Sequence, residues 1–329
     1  MIVFLLINGH YNGEHKSPTE IDAGADSQVS ATYSQLKLGF GATGAWGKAW
    51  FSAQKAKDLI TQALDLGIHY FDTAGFYANG IAETRLGDAV KGRHDICISS
   101  KVGTRYVFGR PAQKDFSDAG IRSDLIESFQ RLKRDHIHVL YLHGPSIDQI
   151  DQTRRVMQDL KQEGKIAKIG VCGVGAELAY TVETGAADVI MGTYNAFDQS
   201  HAPIFEKAKA KNIQTIGIAP LGQALYRRGF TFPKSPSDVW YLARAIGKNR
   251  EEYKHARQHA AAQLANVTEA SPAAAMLNFA LANSSLDRVF INTTRPEHLT
   301  ESVRTARDLP LSPETLANIA KLERTRQSG

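Results

Sequence analysis

The chain has 329 residues, 43% of them hydrophobic and 22% charged, enough apolar material for a sizeable core, which excludes a disordered or fibrous polymer. Its 39 Lys plus Arg exceed its 34 Asp plus Glu by a formal +5, with no block of like charges, so a nucleic-acid partner is not indicated. No apolar stretch approaches the roughly 18 residues that cross a bilayer, and Cys97 and Cys172 sit in separate apolar runs, which suits reduced thiols in the cytoplasm better than a disulfide framework or a zinc site.

Residues 1–34 read as an extension outside the core. Met1–Ile7 is apolar and the stretch to Ser34 mostly polar; Ala23-Gly24-Ala25 has the form of a cleavage site, but no basic segment precedes the apolar run. Residues 35–329 read as one domain. From Leu36 onward, short apolar runs alternate with longer amphipathic ones, the pattern of strands and covering helices taking turns. Strands are expected at Leu36–Phe40, Ile68–Asp72, Asp95–Ser100, Ile137–Leu142, Ala167–Cys172, Asp188–Met191, Gln214–Ala219 and Arg288–Ile291. Most are almost wholly apolar, as strands covered on both faces are.

The helices carry their own punctuation. Ser52 caps one that stops at Gly67, Ile147–Glu163 stops at Gly164, and Ser271-Pro272 opens another to about Asn283. Arg295-Pro296 precedes one ending near Asp308, and Ser312-Pro313 starts a C-terminal addition to about Thr325. Eight strand–helix pairs predict an α/β fold, a parallel eight-stranded (β/α)8 TIM barrel with an extra C-terminal helix. The one long interruption, Pro220–Ala270, with a helical run near Arg250–Ala265, belongs at the C-terminal rim of such a barrel, where it is expected to cover the substrate.

Gly39-Phe40-Gly41-Ala42-Thr43-Gly44 is a competing signal, a G-x-G-x-x-G after a strand of the kind that binds dinucleotides in a doubly wound sheet. In that fold the helix starts within the glycine motif, whereas here Trp46, Gly47 and Trp50 intervene before Ser52. Asp72, the next acidic strand end, also lies well beyond the roughly 20 residues expected. The barrel reading is therefore preferred.

Asp72, Lys101 and His143 each fall at or just past the C-terminal end of a different predicted strand, and Tyr77 follows Asp72 in the next loop. A parallel barrel brings those strand ends to one mouth. Reduction of a carbonyl by hydride needs an acid for the developing alkoxide, and a phenol with a pKa near 10 is poorly matched to neutral pH. An ammonium about 4 Å away favours the phenolate by up to ~4 kcal/mol, and with burial taking back a part, Lys101 is expected to lower the Tyr77 pKa by about two units. Asp72 would hold Lys101 charged, and His143 would donate to the substrate oxygen.

These residues sit in stretches that resemble the aldo-keto reductase family from about Gln35 to Glu323. The stretches are Phe71-Asp72-Thr73-Ala74 leading to Phe76-Tyr77; Glu83-Thr84-Arg85-Leu86-Gly87; Ser100-Lys101-Val102-Gly103; and Tyr141-Leu142-His143-Gly144-Pro145. Glu163-Gly164-Lys165-Ile166 before Ile169-Gly170-Val171, Ala219-Pro220-Leu221-Gly222 and Thr293-Thr294-Arg295-Pro296-Glu297-His298-Leu299 complete the match. The resemblance implies an NAD(P)H-dependent oxidoreductase acting on a small-molecule carbonyl or alcohol. It makes Asp72, Tyr77, Lys101 and His143 the active-site four, with Tyr77 as acid in reduction and base in oxidation. The family binds its cofactor across the barrel mouth without a Rossmann motif.

The chain departs from the family pattern where the cofactor is gripped. Cys172-Gly173 stands where many members have Ser-Asn, Met191 where many have Gln, and Ile218 where many have a stacking aromatic, which leaves Asn195 or the Gly173 backbone to hold the nicotinamide. Pro220 and Leu221 of the loop after the seventh strand, and Thr293 near the eighth, complete the implied contacts. Asn292 and His298 replace a lysine and an arginine that hold the 2′-phosphate in NADPH-preferring relatives; Arg295 is a possible substitute. NADP(H) is the cofactor the resemblance implies, and NAD(H) stays open. So do a dinucleotide-binding regulatory or redox-sensing subunit with little turnover, and a Schiff-base role for Lys101 in aldol cleavage. Trp46, Trp50, Phe76, Tyr106 and Phe108 are expected at the mouth, either lining an apolar substrate pocket or packing the rim. His255 and His259, spaced i, i+4, lack a third ligand and read as a solvated helix face, so no metal site is expected.

Overall fold

The computed structural model describes residues 36–322 apart from 49, 108, 110, 223–238, 240–263, 265–266, 268 and 309. All eight expected strands form: β1 (Leu38–Gly41), β2 (Tyr70–Asp72), β3 (Cys97–Val102), β6 (Ile137–His143), β7 (Ile166–Cys172), β8 (Val189–Thr193), β9 (Gln214–Ile218) and β10 (Arg288–Ile291). They close into a barrel in the order β1-β10-β9-β8-β7-β6-β3-β2, with every neighbouring pair parallel. The doubly wound alternative is thereby excluded. Two further strands, β4 (Thr104–Arg105) and β5 (Gln113–Lys114), make an antiparallel hairpin after β3 that the sequence reading missed. Its runs are two residues each, too short to leave a period.

Helices among the described residues are α1 (Ala53–Asp65), α2 (Ile81–Ala89), α3 (Asp118–Leu132), α4 (Ile147–Gln162), α5 (Gly175–Thr184), α6 (Ala202–Ala210), α7 (Pro272–Ala282), α8 (Pro296–Asp308) and α9 (Pro313–Ala320). The serines read as caps do cap. Ser52, Ser271 and Ser312 accept from the backbone amides of Lys55, Ala274 and Thr315, and Ser146 forms a full capping box with Gln149 at the head of α4. The second strand starts two residues later than expected, because Ile68 N–H donates to the Ala63 carbonyl and still belongs to the α1 turn.

The period-two alternation of each strand sorts its side chains into two cores. One set, including Leu38, Phe40, Phe71, Ile98, Leu140, Val171 and Ile190, packs outward against the helices. The other, Tyr70, Cys97, Val139, Tyr141, Val189, Met191, Ile216 and Phe290, fills the barrel interior. This explains the first glycine of the G-x-G-x-x-G stretch. Gly39 belongs to β1, and a Cβ there would overlap the Phe290 ring. The last glycine opens a single 3-10 turn, Gly44–Gly47, instead of the α-helix a pyrophosphate site requires. Trp46 in that turn is 0% exposed and packs on Phe40 and Phe51. Of the two roles open to it, pocket wall or packing, it takes the packing one. The helical run near residues 250–265, with His255 and His259, the lid expected over Pro220–Ala270 beyond Gly222, the extension 1–34 and Phe108 lie outside the described residues or largely so.

Candidate active site

Alternation along β3 puts Cys97, Ser99 and Lys101 on the inward face and Ile98, Ser100 and Val102 on the outward one. Pairing with β2 sets Ser99 opposite Asp72. The result is a buried network at the C-terminal mouth. Lys101 Nζ forms an ion pair with Asp72 Oδ2 and donates to the Thr73 carbonyl at 2.8 Å, and Ser99 Oγ donates to Asp72 Oδ1 at 2.7 Å. Asp72 is 4% exposed and Lys101 2%, so neither charge can be left without its partner.

Tyr77 completes the group from the loop after β2. Lys101 Nζ lies 5.0 Å from the centre of its ring. Rings of Tyr77 and Phe76 meet the His143 ring edge-on, with centroids 5.8 Å and 5.6 Å away, and Tyr106 packs on Phe76 at 6.2 Å. Asp72, Lys101 and His143 from three strand ends and Tyr77 from the loop after β2 are thus one cluster, and Phe76 and Tyr106 stand at the mouth as expected.

The electrostatics differ from expectation in one respect. Burial pushes the Tyr77 phenol above its ordinary value and outweighs the opposing pull of Lys101. Desolvation of the phenolate, which cannot be judged from sequence, exceeds the Coulomb term, so Tyr77 rests as the neutral phenol instead of one made more acidic. Burial works against the Lys101 ammonium, but Asp72 foremost and Tyr77 after it hold its pKa above the ordinary lysine value. A lysine kept protonated in this way is a poor imine-forming nucleophile. Burial, with Lys101 and Lys114 adding repulsion, lowers His143 to about 3, so the imidazole is neutral throughout the working range. Its Nδ1 is buried without a hydrogen-bond partner among the described residues. A neutral imidazole can donate from one ring nitrogen and accept at the other.

Surrounding segments fix this geometry. On the outward face of β3, Ser100 Oγ donates to Glu83 Oε1 at 2.6 Å, and Arg131 Nη1 reaches Glu83 Oε2 at 3.1 Å, so a fully buried carboxylate of α2 clamps the residue before Lys101. Thr104 Oγ1 in the hairpin donates to the His143 carbonyl at 2.6 Å, and Lys114 Nζ to that of Gly144 at 2.6 Å. Sequence reasoning missed Ser99, Glu83 and Thr104. The first was recoverable, since Ser99 and Lys101 share a face at spacing two.

The residues assigned to cofactor contact divide into those at the mouth and those spent elsewhere. Cys172 ends β7 in register with His143 on one side and Met191 on the other. Burial raises its thiol to about 11, which removes thiolate reactivity. Met191 is 1% exposed and lies in the barrel interior beneath the mouth. Gly173 N–H donates to the Met191 carbonyl at 3.2 Å. Asn195 has its amide engaged: Oδ1 accepts from Phe197 N–H at 2.9 Å and Asp198 N–H at 3.1 Å, and Nδ2 donates to the Ala219 carbonyl at 3.2 Å. It fastens the exit of β9, where Ala219 takes the left-handed φ of +55° rare for a side-chain-bearing residue. Ile218 ends β9 at the mouth, Pro220 is buried behind it and Leu221 packs on the outer core. At the end of β10, Asn292 donates to Thr43 Oγ1, and Thr293 Oγ1 accepts from Arg295 N–H at 3.0 Å. That turn delivers Arg295 and His298, both half-buried, to the start of α8.

Such a mouth is suited to giving a proton to an oxygen that is gaining charge, the part of a carbonyl reduction that falls to the protein. The class it defines is the barrel oxidoreductase. The chain belongs to the aldo/keto reductase family, whose model matches residues 37–324. Among its relatives are an uncharacterized oxidoreductase of Bacillus subtilis, YqkF, 29% identical over 80% of this chain and 85% of that protein, and the L-galactose dehydrogenase of Arabidopsis thaliana, 28% identical over 79% and 81%. An aldo-keto reductase from Bacillus halodurans solved in its holo form superposes with a TM-score of 0.73 at 27% identity, covering 88% of this chain and 92% of that one.

Proposed function

We propose that the chain reduces an aldehyde, ketone or sugar carbonyl, or oxidises the corresponding alcohol, with NADP(H) as the first cofactor and NAD(H) as the second. The observation that carries this is the half-buried Tyr77 phenol at the barrel mouth, with Lys101 Nζ 5.0 Å from its ring centre and ion-paired to buried Asp72. The cofactor supplies hydride when bound. Tyr77 then donates its proton to the carbonyl oxygen, and the phenolate left behind is stabilised by Lys101, by up to ~4 kcal/mol for charges about 4 Å apart at an effective dielectric of 20. Asp72 keeps Lys101 charged through this change, and Ser99 keeps Asp72 aimed. His143 presents its Nε2–H to the same oxygen, which fixes the carbonyl's orientation.

The residues present fit such a cofactor by the chemistry of their donors. The turn closed by the Thr293 hydroxyl sets Arg295, His298 and the first amides of α8 at one strand exit, a set suited to phosphate. Cys172, Gly173 and Ile218 would wall the nicotinamide end, with Met191 as floor and Asn195 acting through Ala219-Pro220-Leu221. The relationship to an L-galactose dehydrogenase supports a sugar or a similar polar carbonyl as substrate. Action in the cytoplasm is supported by two free thiols, Cys97 and Cys172; no helix of the described residues is long and apolar enough to cross a membrane.

The test is fluorescence titration with NADPH and NADH side by side, followed by a panel of aldehydes and sugars. Saturable binding with turnover is expected. Binding without turnover on any carbonyl would favour the regulatory-subunit reading, and binding of neither nucleotide would overturn the proposal.

A further inference from the structure

His201 stands outside the group described above, 5% exposed at the entry to α6. Both of its ring nitrogens are committed to backbone. Nδ1 lies 2.9 Å from the Thr193 carbonyl oxygen, and Gly175 N–H donates to Nε2 at 3.0 Å. A carbonyl can only accept and an amide N–H only donate, so Nδ1 must carry the ring proton and Nε2 must keep its lone pair. One tautomer satisfies both bonds, and the other satisfies neither.

These two bonds tie the end of β8 to the start of α5, beyond the point where the β7–β8 ladder and the Gly173 N–H bond to the Met191 carbonyl already join the two strands. Thr193 is the last residue of β8, and Gly175 is the first of α5, directly after the β7 exit Cys172–Val174. That exit contains Gly173, and Val174 at the helix N-cap makes no side-chain capping bond. The histidine ring therefore does from a distance what a capping side chain does locally. Toward the mouth, the same exit begins at Cys172, in register with His143.

A hydride donor must lie within about 3–3.5 Å of the carbonyl carbon. Since Tyr77 and His143 take the carbonyl oxygen, the donor ring has to lie across the neighbouring strand exits. We propose that His201, as its Nδ1–H tautomer, is a positioning residue that latches the Gly173–Gly175 wall in place beside the nicotinamide end of the cofactor. The proposal rests on the oxidoreductase reading above and goes further, assigning control of the reactive end to a residue that touches neither cofactor nor substrate.

His201→Phe keeps the aromatic packing on Phe205, whose ring centre is 6.2 Å away, and removes both bonds. With two hydrogen bonds lost, affinity for NADPH should fall about 10- to 100-fold. Affinity for 2′-phospho-ADP-ribose, which lacks the nicotinamide ring, should stay within about twofold. Equal losses for the two ligands would mean a general structural role, and no loss for either would mean no role; both overturn the proposal. Wild-type protein that binds neither NADPH nor NADH would instead sink the oxidoreductase reading, and this proposal with it. Nitrogen NMR of the wild-type ring gives a readout independent of how the variant folds: protonated Nδ1 with bare Nε2 is expected, and an Nε2–H tautomer overturns the latch.

Discussion

Tyr77→Phe is expected to lower the rate of carbonyl reduction by about 10²- to 10⁴-fold, the usual contribution of a positioned general acid, while changing cofactor affinity by no more than about twofold. The substitution removes the hydroxyl and keeps the ring, so the edge contacts to His143 and Phe76 survive. Lys101 keeps its ion pair to Asp72 and its bond to the Thr73 carbonyl, and the fold has no reason to change. Steady-state rates with saturating cofactor, set beside a fluorescence titration, separate the two quantities. A variant that turned over at the wild-type rate would show that another group supplies the proton.

The second large effect is on stability. Lys101→Met should cost on the order of 3–5 kcal/mol of unfolding free energy, because it leaves a buried carboxylate without its counter-charge. Asp72, with a side chain 6% exposed, would retain only the Ser99 hydroxyl among its side-chain partners. Adding Asp72→Asn should recover most of that loss, since the remaining groups are neutral and can still share hydrogen bonds. Activity should be lost in both the single and the double variant. Urea midpoints of the three proteins decide the matter, and a single variant as stable as wild type would contradict the burial argument.

What the sequence disclosed about this site follows from what apolar periodicity can carry. Asp72, Lys101 and His143 were legible because each interrupts or ends an apolar run, and parallel topology sends all such ends to one rim. The role of Glu83 was not identified, because it depends on which helix covers β3, which no local pattern carries; Ser99 shares a strand face with Lys101, but its bond to Asp72 follows from register between strands. For Trp46 the choice between pocket and packing stayed open for a related reason. An aromatic in a glycine-rich turn looks available for a ligand, and only the positions of Phe40 and Phe51 show it to be core.

The direction of the Tyr77 pKa was misjudged because a charge pair can be estimated from an assumed distance, whereas desolvation depends on everything that covers the group. Asn195 looked like a spare amide for the nicotinamide, yet its bonds close a turn and hold the strained Ala219. His201 offers no signal in its neighbourhood of sequence, since its partners lie on two other segments.

A neutral phenol as proton donor is the central claim, and the pH profile of the reduction rate tests it most directly. On this proposal the acid form of Tyr77 does the work, and burial raises its pKa above the ordinary phenol value of about 10. His143, lowered to about 3, does not titrate in the working range. The rate with saturating cofactor should therefore be level from about pH 6 to 9 and fall only near or beyond pH 10. A rate that fell by half or more between about pH 7 and 8 would mean that the proton leaves an already acidic group, and the account given for Tyr77, Lys101 and Asp72 would be wrong.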